Sequence, residues 1–139
     1  GPRLEHTLSI AALIQCLTRM LYRLRRDNQR WRQYDNFLVA ENRWRAQRYG
    51  VNEGLIDFGR GAIVPFADLL DEMIELVGED SEALKCTAEV TGARDILKLG
   101  TSADRQRAVA QAAADAGDGH ADQMRAVVSH LIAEFSTDL

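Results

Sequence analysis

A chain of 139 residues with 46% hydrophobic and 27% charged residues has the size and composition of one globular domain. Aromatic residues make up only 6%, which favours packed helices over a β-sandwich. Two cysteines outside any CxxC motif, and apolar runs of five residues at most, argue against a disulfide framework and against a membrane span. We therefore expect a cytoplasmic protein with no membrane partner.

Charge is divided unevenly along the chain. Residues 1–60 contain eleven arginines, no lysine and six acidic residues, so this part carries +5. Residues 61–139 carry −9, which together gives the net charge of −4. Arginine binds phosphate and carboxylate groups through two parallel hydrogen bonds, which lysine cannot do. The partner of the basic part could be nucleic acid, a phosphorylated or carboxylated small molecule, or an acidic neighbouring subunit.

The hydrophobic periodicity predicts about six helices and one small β-hairpin, so the fold class is mainly α. Gly1 and Pro2 are interpreted as the remnant of a cleaved expression tag, and residues 3–139 as a single helical domain. In chain order we expect helices over residues 6–26 and 35–49, a hairpin formed by residues 55–58 and 62–64, and helices over 66–77, 82–99, 103–116 and 121–135. Pro65 is placed to begin the third helix, and Ser102 is expected to cap the fifth.

The second predicted helix has an unusual face. On a helical wheel two adjacent rows mix apolar and charged side chains: Phe37, Glu41, Trp44 and Arg48 in one row, and Leu38, Asn42, Arg45 and Tyr49 in the other. Unpaired burial of such groups would be costly. One interpretation is a salt-bridge network in which Glu41 pairs with Arg45 or Arg48, or arginines stack on Trp44. The other is an arginine-lined site for an anion.

The stretch Ala40-Glu41-Asn42-Arg43-Trp44-Arg45-Ala46-Gln47-Arg48-Tyr49-Gly50 closely resembles the "EN-x-W-x-A-x-R-Y-G" segment of glutamate–cysteine ligase family 2, whose members are also called carboxylate–amine ligases. Three further stretches agree in order and spacing with this family. They are Leu4-Glu5-His6-Thr7 through Ala11-Ala12-Leu13-Ile14-Gln15, then Leu55-Ile56-Asp57, and Gly100-Thr101-Ser102-Ala103-Asp104-Arg105-Gln106. The resemblance covers nearly the whole chain.

The resemblance implies a glutamine-synthetase-like fold and an enzyme that uses ATP and Mg²⁺ to activate a carboxylate, typically the γ-carboxylate of glutamate. An amine would then attack the acyl phosphate and form a γ-glutamyl amide. It makes Arg45 and Arg48 candidates for contacting nucleotide phosphates or the substrate carboxylate, and Asn42 a candidate for orienting a substrate group. Glu41, Trp44 and Tyr49 would support this set.

The sequence also departs from the family pattern. It contains no strands able to build the active-site sheet and none of the paired-carboxylate strand motifs, and His6, His120 and His130 are not spaced as metal ligands. We therefore expect a C-terminal helical portion of a ligase that binds no metal or ATP by itself and is inactive alone. Its partner would be the remainder of the ligase or a second copy. The alternative is a non-catalytic interaction or oligomerisation module. Nucleic acid is not expected, because the acidic second half would repel a long polyanion.

Overall fold

The computed structural model describes residues 3–137, so Gly1 and Pro2, assigned above to a tag remnant, lie outside the described part. The elements in chain order are α1 (Leu4–Arg26), α2 (Asn36–Tyr49), β1 (Leu55–Asp57), β2 (Ala62–Val64), α3 (Phe66–Leu76), α4 (Gly78–Leu84), α5 (Thr87–Leu99), α6 (Ser102–Asp115) and α7 (His120–Thr137). The prediction of a mainly α fold with a small antiparallel hairpin is confirmed. No helix of residues 3–137 combines the length and apolar character that a membrane crossing needs.

The hydrophobic core lies where α1 packs against α4 and α5, with α3 covering α5. Its buried members are Ala12, Leu13, Cys16, Met20, Leu70, Ile74, Val77, Val90 and Ala93. The α1 residues recur at three- and four-residue spacing, so that one face of the helix is buried. This face supplies the contacts that hold the first helix to the middle of the chain.

The helix predicted over residues 82–99 is interrupted at Lys85 and Cys86. Its first residues belong to α4, which begins earlier than predicted, at Gly78, and the rest form α5. Lys85 adopts the left-handed conformation, with φ of 56°, and Cys86 begins the next helix. The amide of Cys86 donates to the Ser81 carbonyl, which closes the end of α4. No glycine or proline marks this break, and the turn brings the Cys86 Sγ to 3.5 Å from the Cys16 Sγ in the core.

Both cysteines are free thiols, as expected from the sequence, but Cys16 is fully buried. Burial, together with the neighbouring Cys86 thiol, raises the pKa of Cys16 to about 11. The thiol of Cys16 is therefore protonated near neutral pH.

A buried carboxylate holds α4 to α1. Asp80 is completely buried, and both Arg19 and Arg23 of α1 donate to its oxygens, the latter over 3.0 Å. Burial alone would raise the pKa of Asp80, but the hydrogen bonds from Arg23 and Arg19 outweigh it and hold that pKa below its ordinary value of 3.8. Asp80 is therefore an ionised structural residue.

The helices α6 and α7 form an antiparallel pair that is joined by a second buried carboxylate. Glu134 of α7 accepts from Arg105 Nε of α6 over 2.6 Å, while the Arg105 Nη1 donates to the Gly100 carbonyl. Arg3 lies 3.8 Å from the same carboxylate, so this cluster also reaches the start of α1.

The N-cap of α6 is Thr101, and not Ser102 as predicted. The Thr101 hydroxyl accepts from the Asp104 amide while the Asp104 carboxylate accepts from the Thr101 amide, forming a capping box. The helix therefore begins one residue earlier than its sequence pattern suggested.

Candidate functional site

The helix α2 carries all six residues selected from the sequence, and it lies on the surface of the described part of the chain. Its N-cap Asp35 accepts a hydrogen bond from the Phe37 amide over 2.8 Å. No residue of α2 is buried by residues 3–137, and Phe37 is 74% exposed and Trp44 50% exposed. Among residues 3–137, the mixed face of α2 is therefore neither a core surface nor a buried salt-bridge network.

Asn42 makes two hydrogen bonds with a single residue of the hairpin. Its Nδ2 donates to the Ile56 carbonyl over 2.8 Å, and its Oδ1 accepts from the Ile56 amide over 2.7 Å. The side-chain amide thus satisfies the backbone groups of Ile56 in the way that a neighbouring strand would. This pairing ties β1 to α2 at their midpoints.

Arg45 is engaged with the loop just before the hairpin. Its Nε donates to the Gly54 carbonyl over 3.3 Å, and its Nη2 donates to the Glu53 carbonyl over 3.2 Å. The guanidinium carbon also lies 5.7 Å from the centre of the Tyr49 ring. Two predicted site residues, Asn42 and Arg45, therefore hold the chain around residues 53–56 against α2.

Two of the predicted supporting residues form an aromatic pair. The rings of Trp44 and Tyr49 meet edge to face with centroids 5.7 Å apart. Because Tyr49 also contacts Arg45, this pair restricts the guanidinium that binds the loop. Glu41 forms no ion pair with Arg45 or Arg48 within the described residues, so the structure does not join it to either arginine.

Arg48 faces a cavity of about 490 Å³ between the end of α2 and the start of α6. The cavity is lined by Ala46, Gln47, Arg48, Tyr49, Gly50, Val51, Asn52, Glu53, Thr101, Ala103, Asp104 and Arg107. In residues 3–137 no acidic group lies within ion-pair distance of Arg48, whereas Arg107 pairs with Asp104. Arg48 is thus the arginine of this cavity whose charge is not matched by a neighbouring carboxylate.

The α6 side of the cavity was missed as a site by the sequence analysis. Hydrogen bonds from the Thr101 hydroxyl and the Thr101 amide hold the pKa of Asp104 below its ordinary value of 3.8, so Asp104 is ionised at neutral pH. The spacing Thr-x-x-Asp is the signal that could have found this end of the helix. That it lies beside α2 depends on tertiary packing, which periodicity along the chain does not report.

The described residues do not supply a metal centre. Over positions 3–137, no three His, Cys, Asp or Glu side chains lie close enough together to hold an ion. The acids of the cavity, Glu53 and Asp104, are accompanied by arginines in place of further carboxylates. Mg²⁺ prefers several oxygen ligands in octahedral order, and these residues do not fit it.

Comparison with known proteins places the chain in a family. The model of glutamate–cysteine ligase family 2 matches residues 1–130. A protein of Jannaschia sp. (strain CCS1), provisionally named glutamate–cysteine ligase 2, is 61% identical over 139 residues, which is 100% of this chain and 36% of that protein. A protein of the same provisional name from Rhodospirillum rubrum is 56% identical over 132 residues, covering 95% of this chain and 34% of that protein.

A third relative, from Ruegeria pomeroyi, carries the same provisional name and is 54% identical over 138 residues, covering 99% of this chain and 35% of its own length. The chain thus spans about a third of the length of these relatives. No solved structure matches it. The family match over residues 1–130 and the identities of 54–61% show that this chain belongs to glutamate–cysteine ligase family 2.

Proposed function

We propose that this chain is a portion of an ATP-dependent carboxylate–amine ligase that forms a γ-glutamyl amide through an acyl phosphate, and that it is inactive by itself. Family membership supports a ligase, and the relatives are named for the joining of glutamate to cysteine. ATP would supply the phosphoryl group that activates the carboxylate. Since the described residues do not fit Mg²⁺, we assign no metal-dependent step to them. The remainder of the ligase is the proposed partner.

A substrate-binding role for this chain is supported by the cavity between α2 and α6, whose lining includes both positively and negatively charged side chains. Arg48 has no carboxylate partner among the described residues, while Glu53 lines the same cavity and forms no ion pair there. The α-carbon of an amino acid such as glutamate carries one carboxylate and one ammonium group, so this end of the molecule matches the lining better than a polyphosphate does. We assign the Arg48 guanidinium to a substrate carboxylate and the Glu53 carboxylate to a substrate ammonium.

Asn42 and Arg45 act in this proposal by positioning residues 53–56. Arg45 holds the Glu53 carbonyl over 3.2 Å, and Asn42 holds both polar backbone groups of Ile56. Their hydrogen bonds therefore set where Glu53 lies at the edge of the cavity. Trp44 and Tyr49 support Arg45, whereas Arg48 is the arginine of α2 that lines the cavity without binding a backbone group there among the described residues.

Titration of the purified chain with glutamate, followed by NMR, tests this assignment. We expect saturable shifts at residues 46–53, and we expect Arg48→Gln to weaken binding roughly tenfold, as the loss of a charge-assisted hydrogen bond predicts. Arg43→Gln is the matched control, because Arg43 is an exposed arginine of the same helix that does not line this cavity. Equal effects of the two variants would contradict the substrate role of Arg48.

The absence of turnover is tested separately. Phosphate release by the chain, measured with ATP, Mg²⁺, glutamate and an amine, is expected to stay at the rate without enzyme. Release that depends on both glutamate and the amine would show that the chain is active alone.

A second candidate function, a non-catalytic interaction module, is favoured by an apolar row on α7. Met124, Val128, Ile132 and Phe135 follow one face of the helix and are 42–66% exposed. Light scattering with and without ATP–Mg²⁺ separates the two functions. A dimer indifferent to nucleotide and to glutamate would favour the interaction module, whereas a monomer that binds glutamate favours the ligase portion.

A further inference from the structure

The connection between α1 and α2 folds back on the end of α1 and creates a second cavity. Asn28 adopts the left-handed conformation, with φ of 56°, the Gln29 amide donates to the Leu24 carbonyl over 2.8 Å, and the Asn28 amide donates to the Arg25 carbonyl over 3.2 Å. These two hydrogen bonds form a Schellman motif, in which asparagine takes the position usually held by glycine. The reversal brings residues 30–33 beside the last turns of α1.

The resulting cavity has a volume of about 780 Å³, within the range of small-molecule sites. It is lined by Leu21, Arg25, Asn28, Gln29, Arg30, Trp31, Arg32 and Gln33. The lining thus consists of three guanidiniums, three side-chain amides, one indole and one leucine, with no carboxylate. It shares no residue with the cavity that Arg48 lines.

The positive charge of this cavity is poorly compensated. In the described part of the chain, no acidic side chain lies within 4.0 Å of the guanidiniums of Arg25, Arg30 or Arg32. Two acids, Asp57 and Glu72, line an adjoining cavity to which Arg30, Trp31 and Arg32 also contribute. Arg60 pairs with both acids, over 3.2 and 3.1 Å. Concentrated arginine charge therefore persists here, although the chain as a whole carries −4.

Arg32 is the most compensated of the three arginines. A hydrogen bond from the Arg60 amide is the main cause that holds the pKa of Asp57 below its ordinary value of 3.8, and the charge of Arg32 contributes to the same lowering. Arg25 in turn faces the negative end of the α1 dipole. Within the described residues, the charge of Arg30 is compensated neither by a carboxylate nor by a helix dipole. Arg30 is therefore the arginine on which a bound anion would depend most.

We propose that this cavity binds a small phosphate-bearing polyanion, with the guanidiniums of Arg25, Arg30 and Arg32 contacting the phosphate oxygens. Planar guanidiniums match phosphate through paired hydrogen bonds, and the side-chain amides of Asn28, Gln29 and Gln33 add neutral donors. Trp31 is 47% exposed and offers an indole face to any ring that the ligand carries. The phosphate chain is that of a nucleoside triphosphate or of an inorganic polyphosphate. In the first case this proposal replaces the expectation from the sequence that the chain binds no ATP by itself.

Calorimetric titration of the purified chain with inorganic tripolyphosphate, in the absence of Mg²⁺, tests the proposal. We expect saturable binding whose affinity falls as salt is added. We also expect Arg30→Gln to lower this affinity roughly tenfold. Arg26→Gln is the matched control, since Arg26 follows Arg25 in the last turn of α1 and its side chain is 74% exposed, but it does not line the cavity. All these residues are exposed, so the variants should fold, which circular dichroism checks.

Absence of saturable binding, or equal weakening by Arg26→Gln and Arg30→Gln, would overturn the proposal, because only the general basic charge would then be acting. Arg48→Gln should leave tripolyphosphate binding unchanged. If it abolishes binding, the anion occupies the α2–α6 cavity and the site proposed here is wrong. Failure of glutamate binding has no bearing on this result, so the two proposals fail independently.

The two phosphate sources are separated by comparing ATP with tripolyphosphate on Trp31→Leu. If a ring of the ligand stacks on the indole, this variant should weaken ATP binding several-fold and leave tripolyphosphate binding unaffected, since base stacking on an aromatic side chain stabilises a bound nucleotide. Equal binding of both ligands by the variant and the original chain assigns the site to the phosphate chain alone. Both results support the proposed site. The first assigns it to a nucleoside triphosphate, and the second to the phosphate chain without a stacked ring.

Discussion

At the scale of single residues, two polar side chains of α2, those of Asn42 and Arg45, bind backbone groups rather than one another. Asn42 satisfies both polar groups of Ile56, and Arg45 satisfies the carbonyls of Glu53 and Gly54. A loop beside a helix needs such partners, because a partly buried carbonyl or amide without one is costly. Arg48 has no such task among the described residues, which is why it is the strongest candidate for substrate contact.

Replacement of Asn42 by alanine should lower the free energy of unfolding by about 1–3 kcal/mol, since both hydrogen bonds are lost and the Ile56 groups are left unsatisfied. Asn42→Asp should also destabilise, because a carboxylate accepts from the Ile56 amide but repels the Ile56 carbonyl. Urea denaturation measures both variants. Gln47→Ala, at an exposed position of α2, is the control and should change little. An unaltered stability of Asn42→Ala would mean that this pairing is unimportant for the fold.

At the scale of elements, the hairpin depends on Gly54. This residue has φ of 70°, and a Cβ placed there would lie 2.3 Å from the Val64 carbonyl oxygen. Val64 pairs with Leu55 in the first pair of the β1–β2 register. Since that oxygen belongs to the backbone, the strands cannot approach as closely with any larger residue at position 54. Glycine is therefore required both for the backbone angle and for the close contact.

We expect Gly54→Ala to destabilise the hairpin by more than about 2 kcal/mol, the sum of the left-handed strain and the steric contact. Gly61→Ala separates the two causes, because Gly61 also has positive φ, at 66°, but a Cβ at this position would have nothing within 4 Å. That control should cost only the strain, about 1–2 kcal/mol. Amide hydrogen exchange of residues 55–57 measures the effect, and equal exchange rates in the two variants would contradict the steric argument.

At the scale of the whole molecule, two buried carboxylates connect segments that are distant in sequence. Asp80 links α4 to α1, and Glu134 links α7 to α6 and to the start of α1. Burial would raise the pKa of Glu134, but the hydrogen bond and charge of Arg105 outweigh burial and hold that pKa below its ordinary value of 4.5. Both carboxylates therefore contribute stability in their ionised forms.

The chain should lose stability in acid. The pKa values of Asp80 and Glu134 are lower in the folded chain than in the unfolded chain. The unfolded chain therefore binds more protons than the folded chain as the pH falls below 4.5. The stability that each ion pair contributes is lost as the pH passes through the folded pKa of its carboxylate. Buried His6, whose pKa is lowered from 6.5 chiefly by desolvation, adds a loss of the same sign that begins near pH 6.5. Urea denaturation between pH 7 and pH 3 measures the slope.

Asp80→Asn should cost about 3 kcal/mol at pH 7, since it leaves Arg19 and Arg23 without their buried carboxylate. It should also make the stability of the variant depend less steeply on pH below pH 4.5. Asp68→Asn, at an exposed acid in the first turn of α3, is the control and should keep the original slope. An unchanged slope in Asp80→Asn would show that Asp80 does not contribute to acid unfolding.

The sequence by itself determined the helical class, the hairpin, the ends of most helices and the family. The elements depend on neighbours within a few residues, chiefly on apolar spacing and on Pro65 before α3. The tertiary structure decided which polar groups meet. Asp80 contacts Arg19 at a separation of 61 residues, and Cys16 contacts Cys86 at a separation of 70.

The candidate site divides in the same way. The sequence selected α2 and its arginines, because a helix face that mixes aromatic, amide and charged groups is visible in the residue order. Packing decided that Asn42 and Arg45 bind backbone and that Arg48 faces α6 across a cavity. The reason is physical: local hydrogen bonds and periodicity are set by residues adjacent in the chain, whereas long-range pairs exist only after the helices have packed.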